Sequence, residues 1–308
     1  MIIGNRLGGS LAWVAMLMVT PAAAQTFTSG VEAVAVDVLV TRGGQPVTGL
    51  TADDFIVLDN GVPQQIESVL LDEVPITLLL VLDTSGSVRG APLVQLRAAV
   101  EAAAEALRPD DQVGLVTFSH NVRMVVEPPS PRSSLPDALG RLRAGGATAL
   151  YDATFAAYAL RERTVGRTLV LVFSDGDDTA SWIDPRAVLD TAQRSDVVVY
   201  GVSLDPITPD NRMDRQGRMT ARRWFPTEPQ LFGREYLPVL VEETGGAVFV
   251  AEDIGRLRAA FSRVVTEFRS RYLLTYSPIE VQAAGWHALE VRVAGRGRSV
   301  QARRGYVR

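Results

Sequence analysis

The chain contains no cysteine, no lysine and only two histidines. The absence of cysteine excludes disulfide bonds, thiol catalysis and thiolate metal sites. The absence of lysine excludes a phosphate-binding loop of the Gly-x-x-x-x-Gly-Lys type. The formal net charge of −4 is too small to indicate a polyanionic partner, so we expect no nucleic acid. Beyond the N-terminal segment no apolar run is long enough to cross a bilayer, so we expect no membrane span in the mature chain.

The first 24 residues have the pattern of a secretory signal peptide. Arg6 supplies positive charge, residues 11–19 form an apolar stretch, and three consecutive alanines ending at Ala24 form a cleavage site. Cleavage after Ala24 would leave a secreted or periplasmic protein. The alternative is an uncleaved anchor, but the apolar stretch is short for a membrane span.

The remaining chain divides into three segments by its hydrophobic pattern. Residues 25–74 alternate in the manner of β-strands, with an Asn-Gly turn at 60–61 and an expected return strand over 65–69. Residues 75–269 alternate strands with helices, and residues 270–308 return to a β pattern.

The middle segment predicts a doubly wound, mainly parallel α/β sheet, because strands that alternate with helices form right-handed crossovers. One predicted strand covers residues 167–173. A helix is expected to open at Pro185, with Asp184 as its N-cap. Each β flank is too small to bury a core alone, so we predict that the two join in a small β-sandwich into which the α/β domain is inserted.

A carboxylate and two hydroxyls follow the most apolar of the predicted strands. Residues 75–82 are typical of a strand buried on both faces, and Asp83, Ser85 and Ser87 come directly after it. Open α/β sheets bind ligands where central parallel strands end. These hard oxygen donors suit Mg²⁺, Mn²⁺ or Ca²⁺ rather than zinc.

Two later loops complete a pattern. A glycine-rich loop contains Thr148, and a second apolar strand is followed by Ser-Asp-Gly, which contains Asp175. The pattern consists of the Asp-x-Ser-x-Ser run from Asp83, then the threonine loop, then the Ser-Asp-Gly loop. In this order it resembles the metal-ion-dependent adhesion site of von Willebrand factor type A domains. The resemblance covers about residues 75–268.

The resemblance implies a set of metal ligands and a class of partner. Ser85 and Ser87 would bind Mg²⁺ (or Mn²⁺ or Ca²⁺) directly, and Asp83, Thr148 and Asp175 would bind it directly or through water. An Asp or Glu carboxylate of a partner protein would take the open position. Two alternatives remain: Asp83 and Ser85 only cap the next helix, or the site is degenerate and binds no metal. Asp177 and Asp178 are interpreted as solvated loop residues, and both histidines as structural.

Both flanks also resemble a group of secreted bacterial proteins related to the type A domain. The shared elements are Pro-Val-Thr-Gly-Leu-Thr-x-x-Asp-Phe at residues 46–55, Tyr-x-Leu-x-Tyr at 272–276 and Arg-x-Gly-Tyr at 303–306. The resemblance implies no particular activity.

Residues 205–233 form a long connection, here called the arginine-rich segment. Its placement after a parallel strand predicts a basic, aromatic rim beside the Asp83 site that helps to select an acidic partner. A solvated insertion is the alternative. The residues expected to contact the partner are Arg212, Arg215, Arg218, Arg222, Arg223 and Trp224.

The sequence favours a secreted, non-enzymatic module that binds a protein partner through a divalent cation, in adhesion or assembly. No Gly-x-Ser-x-Gly nucleophile motif surrounds Ser85. One alternative is a structural or assembly role of the β-domain with an accessory or inert metal site. The other is metal-assisted hydrolysis.

Overall fold

The computed structural model describes residues 33–204, 235–251 and 253–308. The predicted signal peptide and the arginine-rich segment lie outside the described residues. The residues of that segment predicted to contact a partner, which therefore stay predictions, are Arg212, Arg215, Arg218, Arg222, Arg223 and Trp224.

Strands make up both flanks of the described chain, and strands alternate with helices between them. The first flank contains β1 (Val34–Arg42), β2 (Gln45–Pro46), β3 (Phe55–Asp59), β4 (Val62–Gln64) and β5 (Ile66–Leu71). The middle contains β6 (Ile76–Asp83), α1 (Ala91–Glu105), β7 (Gln112–Phe118), β8 (Val122–Ser130), α2 (Leu135–Gly140), α3 (Leu150–Ala159), β9 (Arg167–Phe173), α4 (Pro185–Arg194), β10 (Val198–Ser203), α5 (Tyr236–Glu243), β11 (Val248–Val250) and α6 (Leu257–Arg269). The last flank contains β12 (Tyr272–Tyr276), β13 (Trp286–Val293), β14 (Arg298–Gln301) and β15 (Gly305–Val307).

The middle strands form one six-stranded sheet in the order β11-β10-β9-β6-β7-β8. All neighbouring pairs are parallel except β7 and β8, which are antiparallel. Every residue of β6 is buried, as expected for a central strand covered on both faces. The predicted doubly wound, mainly parallel α/β sheet is confirmed.

Helices cover both faces of this sheet. Helices α1, α2 and α6 pack against one face, around the β6 side chains Leu78, Leu80 and Leu82. Helices α3, α4 and α5 pack against the other face, around Leu79 and Val81. The alternation of side chains along β6 thus supplies both cores from one apolar run. None of the described helices has the length and apolar character needed to cross a bilayer.

Strands from the two flanks pair with one another. One sheet has the order β14-β1-β12-β5, with β2 beside β1, and the other has the order β15-β13-β3-β4. Residues of β1, β3 and β12 share one buried apolar cluster, against which partly buried side chains of β13 pack. Each flank therefore contributes to a core that neither completes alone.

The Asn-Gly turn joins β3 directly to β4, not to the segment over residues 65–69. Asn60 and Gly61 have φ angles of 48° and 82°, which suit a two-residue hairpin loop. Pairing therefore resumes at once, with Val62 opposite Asp59. The predicted return strand is wrong, because most of that segment lies in β5 and pairs with β12.

Arginine–carboxylate contacts join the flanks to the start of the central sheet. Arg167, the first residue of β9, forms a buried ion pair with Asp37 of β1. Arg269 pairs with Asp111 and with Asp72, which follows β5. These contacts lie near the amino ends of β9, β7 and β6, so the carboxyl ends of these strands are left free of flank contacts of this kind among the residues described.

A buried polar network ties the last strand to the first flank. Asp59 accepts hydrogen bonds from the hydroxyls of Tyr276 (2.9 Å) and Tyr306 (2.8 Å), and its other oxygen lies 2.8 Å from Nδ1 of His287. Asp59 and His287 have no solvent exposure. His287 is therefore a structural residue, as predicted, and four strands meet at one carboxyl group.

Replacing Tyr306 by Phe should lower the free energy of unfolding by about 1–3 kcal/mol, because a buried carboxyl group loses one hydrogen-bond donor. Urea denaturation measures the change. Tyr158→Phe is the matched control: the hydroxyl of Tyr158 is buried and has no hydrogen-bond partner among the described residues, so its removal should not destabilise the chain. Equal stability of Tyr306→Phe and the unsubstituted chain would contradict the role given to the network.

Candidate functional site

The site predicted from the sequence lies where the strand order reverses. Strands β6 and β9 are adjacent and parallel, with Leu82 opposite Phe173. Asp83 is the last residue of β6, and Asp175 lies two residues beyond the end of β9. The connections from these two strands run to opposite sides of the sheet, which opens a crevice at their carboxyl ends.

The Asp83 carboxylate is almost completely buried in this crevice, with 1% of its surface exposed. One oxygen accepts the Ser85 N–H at 2.7 Å, and the other accepts the Ser174 hydroxyl at 3.3 Å. Burial raises the pKa of Asp83 to about 6, and the charge of Asp175 adds to the rise, although these hydrogen bonds act in the opposite direction. The two carboxylates are thus close enough to repel each other electrostatically, and a cation between their segments would relieve this repulsion.

Two hydroxyls stand next to this carboxylate. The Oγ atoms of Ser85 and Ser87 are 3.0 Å apart at the turn that follows β6. Helix α1 begins later, at Ala91, with Gly90 as its N-cap and no side-chain capping hydrogen bond. Ser85 is the N-cap residue of a short 3-10 turn, Gly86–Val88, which likewise has no side-chain capping hydrogen bond. No capping contact therefore supports the alternative in which Asp83 and Ser85 only cap the following helix.

The glycine-rich loop is hydrogen-bonded to the serine turn. The N–H of Gly145 donates to the carbonyl of Thr84 at 2.7 Å, and the N–H of Gly86 donates to the carbonyl of Gly146 at 3.0 Å. Thr148, two residues further on, is buried. The loop that carries Thr148 is thus fixed against the turn that carries both serines.

Thr148 is also bonded to the loop that follows β9. Its N–H donates to the Thr179 hydroxyl at 3.0 Å, and its carbonyl accepts the N–H of Thr179 at 2.8 Å. The structure therefore brings together the three segments that contain Asp83, Thr148 and Asp175. The role of these side chains as metal ligands stays a prediction.

Asp178 does not behave as a solvated loop residue. Its Oδ2 accepts the N–H groups of Leu150 at 2.7 Å and Tyr151 at 3.2 Å, at the start of α3. The sequence interpretation of this residue is wrong, because the carboxylate fills the place of a helix cap. Asp152 lies in the first turn of α3.

Trp182, which the sequence patterns did not single out, lies in the same connection as Asp175. Its side chain is 94% exposed, in the loop between β9 and α4. The sequence signal for this exposed residue is a single tryptophan in an aspartate-rich connection. Such a residue is unusual at the surface, since tryptophan is normally highly buried.

The predicted donor set suits a hard divalent cation. Among the described residues no three His, Cys, Asp or Glu side chains stand together as a metal-binding group. The predicted site has only two carboxylates, and its other donors are hydroxyls, which Mg²⁺ accepts alongside water.

Comparison with known proteins assigns the middle of the chain. The family model for the von Willebrand factor type A domain matches residues 77–225, just under half of the chain. The chain contains a von Willebrand factor type A domain. The match includes the Asp83, Thr148 and Asp175 loops, although it does not test whether they bind metal.

Two sequence relatives match part of the chain. Inter-alpha-trypsin inhibitor heavy chain H2 of Mus musculus is 32% identical over 124 residues, which is 35% of this chain and 13% of that protein. An uncharacterized protein of Synechocystis sp. is 36% identical over 78 residues, which is 25% of this chain and 19% of the relative. The chain thus spans less than a fifth of the length of either.

Solved structures resemble the chain at low identity. A von Willebrand factor type A structure from Catenulispora acidiphila is 13% identical, covers 82% of this chain and 73% of its own, and has a TM-score of 0.49. An aerotolerance-related membrane protein from Bacteroides fragilis is 18% identical and has a TM-score of 0.45. The match covers 62% of this chain and 99% of that structure. The identification of the type A domain rests on the family match.

The glycine-rich loop should not tolerate a side chain at Gly146. This residue has a φ of 96°, and an added Cβ would lie 2.5 Å from Nδ1 of His120. We expect Gly146→Ala to lower the free energy of unfolding by about 1–3 kcal/mol, measured in urea. Gly140→Ala at the end of α2, where nothing lies within 4 Å, should be neutral or stabilising. Equal effects of the two substitutions would contradict this account.

Asp83→Asn should stabilise the metal-free protein by up to about 2–3 kcal/mol at pH 7. The pKa of Asp83 is higher in the folded chain, about 6, than its ordinary 3.8, so ionisation at pH 7 favours unfolding. The difference should shrink as the pH falls through 6 towards 4. Urea denaturation in EDTA measures it, with exposed Asp190→Asn as the control. A variant that is less stable than the unsubstituted chain at pH 7 would refute the prediction.

Proposed function

We propose that this protein is a secreted or periplasmic binding module whose type A domain holds a divalent cation and uses it to bind a partner protein. The cation would be Mg²⁺, or Mn²⁺ or Ca²⁺, and its ligands would be Asp83, Ser85, Ser87, Thr148 and Asp175. The proposal covers binding in adhesion or assembly, not catalysis.

The observation that carries the proposal is a buried carboxylate without a cationic partner among the described residues. Asp83 forms no ion pair with an arginine or histidine in the described part of the chain, and the charge that most affects it is that of Asp175. A buried charge normally acquires a counter-ion or a metal. The neighbouring serine hydroxyls add two neutral oxygen donors to the same place.

The chemistry of the partner follows from the number of charges. The charges of two carboxylates just balance the charge of a divalent cation and leave no excess negative charge. Mg²⁺ keeps open or water-filled positions when so few protein groups bind it. A carboxylate from an Asp or Glu of the partner supplies a negative, directional oxygen for such a position. Contacts from the surrounding loops then determine which partner is bound.

The β flanks and the N-terminal segment complete the proposal. We interpret the paired flanks as one β-sandwich into which the type A domain is inserted, supported by the pairing of β1 with β12 and of β3 with β13. The sandwich would hold the type A domain by the amino end of its sheet and leave the carboxyl end open to a partner. Secretion is supported by the sequence pattern that ends at Ala24.

Calorimetric titration with Mn²⁺ tests the cation site. The chain from residue 25 should bind one Mn²⁺ per molecule, because the five predicted ligands come from segments that meet at one crevice. Asp83→Ala and Asp175→Ala should abolish binding, and Ser87→Ala should weaken it by about tenfold or more, since each substitution removes a ligand.

The exposed Asp190 of α4 supplies the matched control, because Asp190→Asn also removes one negative charge from the same domain. This variant should bind Mn²⁺ as the unsubstituted chain does, and circular dichroism should show that every variant is folded. Saturable binding that survives both Asp83→Ala and Asp175→Ala would contradict the proposed site.

A further inference from the structure

Trp182 is the most exposed large apolar side chain among the described residues. Its side chain is 94% exposed, whereas the other exposed aromatic residues of the described chain, Phe155 and Trp286, are 37% and 38% exposed. An indole left in water forgoes a large hydrophobic stabilisation, since aromatic side chains bury more apolar area than any others.

The backbone that presents this indole is held firmly. The Asp152 carboxylate accepts the N–H of Trp182 at 3.0 Å and the N–H of Ile183 at 2.9 Å. In return, the N–H of Asp152 donates to the Ser181 hydroxyl at 3.2 Å. The segment 181–183 is thus bonded to the first turn of α3, and the indole projects from a fixed backbone.

The same loop forms part of the predicted cation site. Asp175 lies at its beginning, and the N–H groups of Thr179 and Ala180 both donate to the carbonyl of Thr148, at 2.8 and 3.0 Å. Trp182 follows Ala180 by two residues. The exposed indole is therefore presented by the segment that also positions two of the predicted ligands.

The neighbouring carboxylates point to an apolar rather than a charged contact at the indole. Asp152 and Asp178 are engaged with backbone N–H groups at the start of α3, so their oxygens face the protein. The indole is what this part of the loop offers to a partner. Tryptophan is among the residues most enriched at the energetic centres of protein interfaces.

We propose that Trp182 is the apolar anchor of the partner surface around the cation site, and that the partner presents an apolar side chain beside the carboxylate that binds the cation. This inference rests on the proposed function and specifies the partner: an exposed protein segment that combines an Asp or Glu with a neighbouring aromatic or aliphatic residue.

A random peptide library displayed on phage provides the probe. Selection on the immobilised chain in Mg²⁺, with elution by EDTA, should enrich peptides that contain an acidic residue and a nearby apolar residue. Synthetic versions of these peptides should bind the Trp182→Ala variant at least tenfold more weakly. The Mn²⁺ affinity of this variant should be unchanged, because Trp182 is not a ligand.

Trp286→Ala is the matched control, because Trp286 is a partly exposed tryptophan of β13, which belongs to a sheet formed by the β flanks. It should bind the selected peptides as the unsubstituted chain does. The proposal is overturned if Trp182→Ala retains full peptide affinity, if the selected acidic peptides carry basic instead of apolar neighbours, or if no EDTA-sensitive peptide is selected. A chain that fails to bind Mn²⁺ contradicts the proposed function itself, so the two failures are distinguishable.

Fluorescence provides a direct readout of contact at the indole. The double variant Trp224→Phe and Trp286→Phe, expressed from residue 25, leaves Trp182 as its only tryptophan. A selected peptide added with Mg²⁺ should reduce acrylamide quenching of this residue, and EDTA should restore it. Quenching that is unchanged at saturating peptide would show that the peptide does not cover the indole, and would overturn the proposal.

Discussion

The burial of the Asp83 carboxylate at the end of the central strand is the constraint on which the rest of the site depends. A fully buried strand brings this charge into the protein, where a backbone N–H from Ser85 and a hydroxyl from Ser174 are bonded to it. A second carboxylate, Asp175, makes its ionisation more costly still. The serine turn beside it places two hydroxyl oxygens 3.0 Å apart, and a divalent cation would be stabilised by such donors.

The contacts with the β flanks and the candidate site lie at opposite ends of the strands of the central sheet. Strand β9 begins at Arg167, whose buried ion pair with Asp37 joins it to the β flank, and it ends shortly before Asp175. Arg271, completely buried, continues the junction by donating to the Tyr200 hydroxyl at 2.9 Å. Because the junction and the candidate site occupy opposite ends of one strand, a partner bound at the carboxyl end would not compete with the contacts that hold the flanks.

Short-range patterns predicted much of the fold, because a strand or a cap depends on neighbouring residues. The strand over residues 167–173 has the predicted bounds, and Asp184 caps α4 by accepting the N–H of Arg186 at 2.8 Å. The ends of β6 and β9 could likewise be assigned, because an apolar run followed by polar residues marks the end of a buried strand.

Contacts between distant residues could not be predicted in the same way. The capping of α3 by Asp178 joins residues 28 positions apart, and nothing local distinguishes this carboxylate from a solvated one. The meeting of Asp59 with His287 joins residues 228 positions apart and depends on the pairing of both flanks. The exposure of Trp182 follows from how Asp152 holds the loop, which is again a contact between distant segments.

The most direct test of the account is the position of a bound metal ion in crystals of the chain from residue 25 grown with Mn²⁺. Anomalous diffraction should show one peak in the crevice between β6 and β9, within coordination distance of the oxygens of Ser85 and Ser87 and beside Asp83 and Asp175. A peak at another place, or a crevice in which an arginine side chain pairs with Asp83 in the presence of saturating Mn²⁺, would contradict the account.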